Sequence, residues 1–212
     1  GRLGGRLFNL TDDPADDRAP AFSTDGRYLA FESRRNGNWE IYIIELESGE
    51  VRRVTNHPAY DGDPAWSPDG RYLAFESYRD GNLEIYTLDL ITGALHRLTD
   101  DPAGDYAPAW SPDGRLIAFT TWREGNKEVY LMDAQGGGER NLTQNEGDDE
   151  YPAWSPDGQR LAFVSWRDGN GEIYTLDLES GEVVRLTHND LLDTAPAWSP
   201  DGREVVFSSY DK

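Results

Sequence analysis

The chain has 212 residues, enough to bury a sizeable core in one domain, and carries 40 Asp and Glu against 20 Lys and Arg. Its formal net charge of −20 argues against nucleic acid or an anionic membrane surface as a partner, because both would repel it. The sequence has no cysteine, which excludes disulfides and thiolate metal sites, and no apolar run of membrane-spanning length, so we expect no membrane insertion.

A seven-residue motif, Pro-Ala-Trp-Ser-Pro-Asp-Gly, recurs every 44 residues. It begins at Pro64, Pro108, Pro152 and Pro196, and a looser copy begins at Pro20. A period of this length, with several strand-like runs in each unit, is the signature of propeller blades. The sequence therefore predicts an all-β fold, a five-bladed β-propeller of four-stranded blades that occupies residues 1–212 as a single domain.

Each unit reads as four antiparallel strands, and the second unit illustrates the pattern. A short inner strand at 65–67 is followed by a Ser-Pro-Asp-Gly turn and an alternating strand at 71–77. An Asp-Gly-Asn hairpin leads to strands at 84–90 and 95–99. The predicted blades are about 20–63, 64–107, 108–151, 152–195, and 196–212 together with 1–19.

Three sets of repeated residues are explained by the blade itself. The turn aspartates Asp25, Asp69, Asp113, Asp157 and Asp201 are expected to shape the turns. The aromatic residues of the motif are expected to pack between blades: Phe22, Trp66, Trp110, Trp154 and Trp198. A hairpin arginine stands five residues before a glutamate, and we expect a cross-strand ion pair in each hairpin: Arg35 with Glu40, Arg79 with Glu84, Arg123 with Glu128 and Arg167 with Glu172.

The order of motifs within a unit is specific: Trp-Ser-Pro-Asp-Gly, Leu-Ala-Phe-x-Ser, Arg-Asp-Gly-Asn-x-Glu-Ile-Tyr and Arg-Leu-Thr. It resembles the TolB-type β-propeller repeat, a WD-like family, over essentially the whole chain. The resemblance implies a bacterial periplasmic protein-interaction module, or the propeller attached to a serine peptidase domain. It therefore implies a periplasmic or extracellular protein, although the N-terminal residues lack the apolar core of a signal peptide. This sequence has five copies of the repeat, whereas the protein after which the family is named is similar to a six-bladed propeller with a separate N-terminal domain.

The two ends of the chain are predicted to share the closing blade. Residues 196–212 match the first two strands of a unit, and residues 5–11 match the fourth. Either residues 1–10 pair with the second strand and give a three-stranded blade, or another copy of the chain completes it in a strand-swapped oligomer. An uncovered strand edge is prone to aggregation, so some strand must cover it. We favour closure within a monomer.

The loops that lead into the inner strands concentrate negative charge on one face. Together they hold 15 of the 40 carboxylates and one arginine, and they span residues 12–19, 56–63, 100–107, 144–151 and 188–195. One position is aspartate in all five: Asp17, Asp61, Asp105, Asp149 and Asp193. These carboxylates could ring the channel mouth and recruit Ca²⁺ or another cation. The favoured alternative is that each accepts hydrogen bonds within its own blade, because a residue needed once per blade is usually needed by the blade.

A ligand without five-fold symmetry must be recognised by what differs between units. The aromatic candidates for a binding face are Trp39, Tyr60, Tyr78, Tyr106, Trp122, Tyr151, Trp166 and Tyr210. They could form a stacking rim for a peptide or sugar, or pack onto the adjacent blade. The other departures on that face are Arg18, Glu150, Leu191 and Leu192.

The sequence favours a non-enzymatic binding module whose acidic face binds a basic peptide or protein, with a cation in the channel. Its three histidines occupy unmatched positions, and it has no Gly-x-Ser-x-Gly elbow for nucleophilic catalysis. One alternative is a five-bladed glycoside hydrolase, which would need non-equivalent acids at a pocket. The other is a recently amplified or designed repeat protein with no evolved ligand.

Overall fold

The computed structural model describes residues 8–211, which form five antiparallel sheets around a common channel. Among these residues no helix is long and apolar enough to cross a membrane. The strands within this range are β1 (Asp17–Phe22), β2 (Tyr28–Ser33), β3 (Glu40–Glu45), β4 (Val51–Arg53), β5 (Asp61–Trp66), β6 (Tyr72–Ser77), β7 (Glu84–Asp89), β8 (Leu95–Arg97), β9 (Asp105–Trp110), β10 (Leu116–Thr121), β11 (Glu128–Asp133), β12 (Arg140–Asn141), β13 (Asp149–Trp154), β14 (Arg160–Ser165), β15 (Glu172–Asp177), β16 (Val183–Arg185), β17 (Leu192–Trp198) and β18 (Val205–Tyr210).

The predicted five-bladed all-β propeller is confirmed. Four sheets contain four strands in sequence order, from β1-β2-β3-β4 to β13-β14-β15-β16, and β17 pairs with β18 in the fifth. The predicted pairing of the N-terminal segment with the closing blade depends on residues 1–7, which lie outside the described residues. Residues 8–10, which are described, form no strand.

The Ser-Pro-Asp-Gly turns have the predicted construction. In the second blade the Ser67 hydroxyl donates to Asp69 Oδ1 at 2.6 Å, and the Arg71 backbone N–H donates to the same oxygen at 3.0 Å. Gly70 has φ +70°, a left-handed conformation that glycine adopts at little cost. The aspartate therefore organises its own turn, as expected for a residue that every blade repeats.

The motif tryptophans pack between blades as predicted. Trp66 stacks on Tyr28 of the preceding blade with ring centroids 6.2 Å apart, and its Nε1 donates to the Ala21 carbonyl at 3.0 Å. The expectation was wrong for Phe22, which is 64% exposed. Its neighbour in the ring would be the fifth blade, whose β18 leaves Val206 65% exposed. Within residues 8–211 this junction therefore lacks the packing that buries Trp66.

A bulge in each inner strand turns one residue towards the channel. The pairing of β5 with β6 shifts between Gly62 and Ala65, and Asp63 in this bulge has φ +47°. The equivalent residues are also left-handed and line the same channel: Ala19, Ala107, Tyr151 and Ala195. Four of the five blades thus present alanine or tyrosine at this point, and only the second presents a carboxylate.

Candidate functional site

The repeated loop aspartates are tied to their own blades. Asp61 is fully buried and accepts two hydrogen bonds at 2.9 Å from Arg79, whose Nε donates to the Ser77 hydroxyl at 2.8 Å. Arginine makes the same contact with aspartate in three other blades: Arg35 with Asp17, Arg123 with Asp105 and Arg167 with Asp149. In the fifth blade, Asp193 accepts from Ser209 and Asn189 instead. This geometry gives the aspartates a structural use in every blade.

Burial has the largest effect on the pKa of two of these aspartates. Desolvation raises the pKa of Asp105 and of Asp149 to about 6, and the adjacent arginines oppose the shift. Within residues 8–211, no three His, Asp or Glu side chains come close enough together to hold a metal ion. The structure therefore does not bring the five predicted aspartates together as one ligand set.

The expected ion pairs within the hairpins are wrong, because the arginines bind the aspartates described above. The hairpin glutamates bind the outer strand instead. Glu84 accepts from Arg97 at 2.8 Å, from the Thr99 hydroxyl at 2.6 Å and from Asn82 at 2.9 Å. The spacing across the turn suggested that the hairpin arginine pairs with the hairpin glutamate. Its guanidinium instead binds the aspartate of the inner strand in the same sheet.

The distinctive feature of the loop face is an asymmetric cavity of about 530 Å³ between the second, third and fourth blades. It opens on the side where the hairpins and the loops entering the inner strands meet. Asn82 of the hairpin, for example, donates to the Asp101 and Ala103 carbonyls of the following loop. The cavity is lined by Asp63, Glu76, Tyr78, Asn82, Leu83, Gly104, Tyr106, Trp122, Lys127, Glu150 and Tyr151.

Four of the eight predicted aromatic candidates line this cavity. Tyr78 and Trp122 are 52% and 45% exposed at its rim, and Tyr151 is also exposed. Tyr106 is buried and meets Tyr151 edge to face, with ring centroids 6.1 Å apart. The rim thus presents open aromatic faces above a buried aromatic floor.

The other four candidates lie outside the cavity lining. Arg18 lies over the Trp39 ring at 4.0 Å, and the Tyr60 hydroxyl donates to Glu76 Oε1 at 2.8 Å. Trp166 donates from Nε1 to Glu150, and Tyr210 is exposed at the end of β18. Tyr60 and Trp166 thus lie outside the cavity lining but donate hydrogen bonds to two of its carboxylates, Glu76 and Glu150.

Glu150 has its own cation. Its Oε2 accepts from Lys127 Nζ at 2.7 Å and from the Tyr106 hydroxyl at 3.2 Å, and its Oε1 accepts from Trp166 Nε1 at 3.2 Å. Both carboxylate oxygens are therefore occupied within the protein, and the charge of Glu150 is balanced.

Asp63 and Glu76 have no cation of their own. Glu76 accepts from the Tyr60 hydroxyl at 2.8 Å and from the Ala107 backbone N–H at 2.9 Å, both neutral donors. Among residues 8–211 no group donates a hydrogen bond to Asp63 and none forms an ion pair with it. Burial, reinforced by the nearby Asp63 charge, raises the pKa of Glu76 to about 8, and burial raises the pKa of Asp63 against the opposing attraction of Arg18. Two neighbouring carboxyl groups thus face the cavity without an ion-pair partner among the described residues.

Sequence reasoning missed Asp63, Glu76 and Lys127. A comparison of equivalent positions would have found Asp63, because the residues at this point of the other units are alanine or tyrosine. The residue equivalent to Glu76 is also a glutamate in the first unit, Glu32. In the other units this position is Thr120, Val164 or Ser208. Repetition drew attention to the aspartates that every blade shares, whereas the cavity is built from residues that differ.

Fold and site together define a β-propeller with one asymmetric acidic and aromatic pocket on its loop face. The TolB beta propeller domain family matches residues 6–106, 64–150 and 84–212. The chain therefore belongs to the TolB β-propeller family, as its repeat motifs predicted. No curated protein matches the sequence.

Solved structures support the same family. TolB from Acinetobacter baumannii is 29% identical with a TM-score of 0.84, over 92% of this chain and 49% of that one. A structure assigned as TolB from Agrobacterium tumefaciens is 31% identical with a TM-score of 0.85, over 95% of this chain and 73% of that one. Oligogalacturonate lyase from Vibrio parahaemolyticus is 17% identical with a TM-score of 0.60, over 96% of this chain and 74% of that one, a likeness of fold alone. The chain spans about half the length of the Acinetobacter protein.

Proposed function

We propose that this propeller is a non-enzymatic binding scaffold whose acidic loop face binds a basic peptide or protein. The observation that carries the proposal is the cavity lined by exposed aromatic rings and by the carboxyl groups of Asp63 and Glu76, which have no ion-pair partner among the described residues. Membership of the TolB propeller family agrees with a role in protein interaction.

The chemistry of the cavity suits a cationic side chain better than an anionic or purely apolar one. Exposed aromatic rings on a soluble domain commonly mark a contact surface, and their faces attract cations. The carboxylates Asp63, Glu76 and Glu150 outnumber the single cation of the lining, Lys127. The acidic loops around the cavity would steer a basic partner towards it.

Two further parts of the proposal follow from the family and the charge. The protein would act in the periplasm or outside the cell, as its resemblance to TolB suggested. A calcium ion or another cation in the channel stays a prediction of the acidic loops, and native mass spectrometry with and without added calcium would test it. We expect a monomer, which the same spectrum would measure.

Fluorescence anisotropy with matched peptides tests the central proposal. The probes are a labelled decapeptide of alternating Arg and Ser, the same peptide with Lys for Arg, and the same peptide with Glu for Arg. We expect both basic peptides to bind, more weakly at higher salt, and the acidic peptide not to bind. Tyr78→Ala should weaken binding about fivefold or more, since an exposed aromatic contact contributes about 1 kcal/mol or more. Equal affinity for basic and acidic peptides would contradict the proposal.

A glycoside hydrolase is the second candidate, because Asp63 and Glu76 are the non-equivalent acids at a cavity that such an enzyme requires. However, both Glu76 oxygens already accept hydrogen bonds within the protein, and its side chain is buried. That arrangement leaves little access for protonation of a leaving group. Hydrolysis of chromogenic aryl glycosides that is lost in Glu76→Gln would favour the enzyme over the scaffold.

A further inference from the structure

We infer that the cavity beside Asp63 and Glu76 binds a single guanidinium group, the side chain of an arginine in the partner, which would donate to Asp63 and be attracted by the buried carboxyl group of Glu76. This inference rests on the proposed function and makes it specific, since it names the one residue type that the partner must place in the cavity.

The first blade contains a guanidinium at the corresponding position. Arg18 of β1 lies directly across from Glu32 of β2 in the sheet register. Its Nε is 3.1 Å from Glu32 Oε1, and its guanidinium lies 4.0 Å over the Trp39 ring. A guanidinium between a buried carboxylate and an aromatic face is therefore a combination that this fold already uses.

The second blade has the carboxylate without the guanidinium. Gly62 of β5 lies across from Glu76 of β6 in the same register, so no side chain reaches Glu76 from that position. A Cβ on Gly62 would lie 2.0 Å from the Tyr60 hydroxyl oxygen and 2.7 Å from Glu32 Oε2, which shows that Tyr60 and Glu32 fill this space. Glu76 thus receives a neutral hydroxyl where Glu32 receives a charged donor.

The charges around the cavity leave a deficit of cations. Glu150 has Lys127, whereas Glu32, Asp63 and Glu76 lie near a single cation, Arg18, which forms its ion pair with Glu32 and only attracts Asp63 from a distance. Two desolvated carboxyl groups must then share a proton or attract a cation from outside. An entering cation would restore the balance that Arg18 provides in the first blade.

The walls favour a guanidinium over a metal ion. Metal binding needs several oxygen ligands at short range, and no three acidic or histidine side chains within residues 8–211 converge in that way. A guanidinium is planar, donates several hydrogen bonds and stacks on aromatic rings. Tyr78 and Tyr151 offer exposed rings at the cavity, while Lys127 lies 5.2 Å over the Trp122 ring and already covers it.

Titration calorimetry with small probes tests the inference without any peptide. The probes are N-acetyl-argininamide, N-acetyl-lysinamide and N-acetyl-citrullinamide, the last a neutral analogue of nearly the same shape. We expect the arginine probe to bind most tightly, the lysine probe more weakly and the citrulline probe at least about tenfold more weakly than arginine. Equal binding of arginine and citrulline would overturn the inference.

Three variants locate the site. Asp63→Asn removes the carboxylate that the guanidinium would contact, and Glu76→Gln removes a carboxyl group that a bound cation would help to ionise; each should weaken binding of the arginine probe about tenfold. Asp190→Asn is the matched control, because it removes an exposed carboxylate from a loop on the same face but outside the cavity lining. It should leave probe affinity within about twofold. Unchanged affinity in Asp63→Asn and Glu76→Gln would overturn the inference.

An internal transplant supplies the missing group from the chain itself. The double variant Tyr60→Asp with Gly62→Arg places the residues of the first blade, Asp16 and Arg18, at the same positions of the second. The tyrosine that blocks a side chain at position 62 is removed at the same time, and the Glu32 carboxylate, whose Oε2 would lie 2.7 Å from the new Cβ, must move aside. We expect a folded protein, checked by circular dichroism, that no longer binds the arginine probe. Retained binding in a folded variant would count against the site.

The outcome can be separated from that of the proposed function. If the Lys decapeptide binds the face but the arginine probe does not bind, this inference fails and the binding scaffold stands. If the arginine probe binds and neither basic peptide does, the scaffold proposal fails and the guanidinium site stands. If nothing binds, both fail.

Discussion

Asp61 and Asp63 lie two residues apart in β5, yet their surroundings are opposite. Asp61 is fully buried and receives two hydrogen bonds from Arg79, an arrangement repeated with arginine in four of the five blades. Asp63 sits in the bulge, faces the cavity and the channel, and has no donor among the described residues. The first carboxylate holds a blade together, and the second is left available to a ligand.

This difference separates the carboxylates that stabilise the repeat from those that can contact a partner. The carboxylates that every unit repeats accept hydrogen bonds inside their own blade, with arginine as the partner of the loop aspartate in four of the five blades, so their side chains are not free to contact a partner. Two kinds of carboxylate are better candidates for binding. One kind occurs in a single unit, such as Asp63, and the other lacks the cation that its counterpart has, such as Glu76. Three variants test this distinction, beginning with the largest expected effect.

Arg79→Ala removes the cation of the Asp61–Arg79 pair, which represents the repeated contact. It leaves Asp61 buried without its cation, and breaking a buried pair by removing one partner costs about 3 to 5 kcal/mol. Urea unfolding should show this loss in the free energy of unfolding. The control is Arg115→Ala, whose side chain is 84% exposed and 3.8 Å from Asp113; a surface pair of this kind contributes about 0 to 1 kcal/mol. Equal effects of the two variants would contradict the structural role of the Asp61–Arg79 pair.

Arg18→Ala makes the first blade resemble the second. Glu32 would keep its burial but lose its guanidinium, at an expected cost of about 1 to 3 kcal/mol, less than for Arg79 because Arg18 is half exposed to water. The same unfolding measurement checks it. Arg34→Ala is the control, because Arg34 also lies over the Trp39 ring, at 5.5 Å, but forms no ion pair within the described residues. A cost for Arg18→Ala no larger than for Arg34→Ala would show that the ring contact alone matters.

Glu76→Gln tests the uncompensated carboxyl group through pH. Burial raises the pKa of Glu76 from its ordinary value of 4.5 to about 8, with Asp63 and Glu32 adding repulsion. Between these pH values the folded protein keeps a proton that the unfolded chain has lost, so this group makes stability fall as pH rises. Gln cannot titrate, and the variant should lose less stability than the wild type from pH 5 to pH 8.

The size of this effect follows from the shift, since each unit of raised pKa corresponds to about 1.4 kcal/mol. Parallel urea titrations at the two pH values measure it, with Glu182→Gln, an exposed glutamate on an outer turn, as the control. Identical pH slopes for wild type and Glu76→Gln would mean that Glu76 is ionised throughout this range.

Much of the fold was predictable from the sequence because the period, the turn residues and the motif tryptophans are local and repeated. The family could be inferred for the same reason, from motifs in fixed order. The partner of Arg79 could not, since two acids, Asp61 and Glu84, stood within reach and only the sheet geometry selects Asp61. The exposure of Phe22 was also missed, because the motif places it between blades while its neighbouring sheet leaves it uncovered.

The candidate site was only half predictable. The aromatic residues of the cavity stood out as differences on one face, so Tyr78, Tyr106, Trp122 and Tyr151 could be chosen. Which carboxylates lacked a cation depended on side-chain contacts across blades, such as the reach of Lys127 to Glu150. Contacts between side chains of different blades cannot be inferred from the spacing of residues in the sequence.

The inner-strand bulge offers a route to reprogramming the propeller. At Ala19, Asp63, Ala107, Tyr151 and Ala195 the backbone already holds non-glycine residues in the left-handed region and directs them into the lumen. A replacement at one of these places alters what the pore presents while leaving the strand pairing on either side intact. The molecule therefore contains five positions at which a single substitution changes what faces the channel, and three of them are alanine. Acidic, basic or metal-binding side chains can be introduced at these positions one at a time.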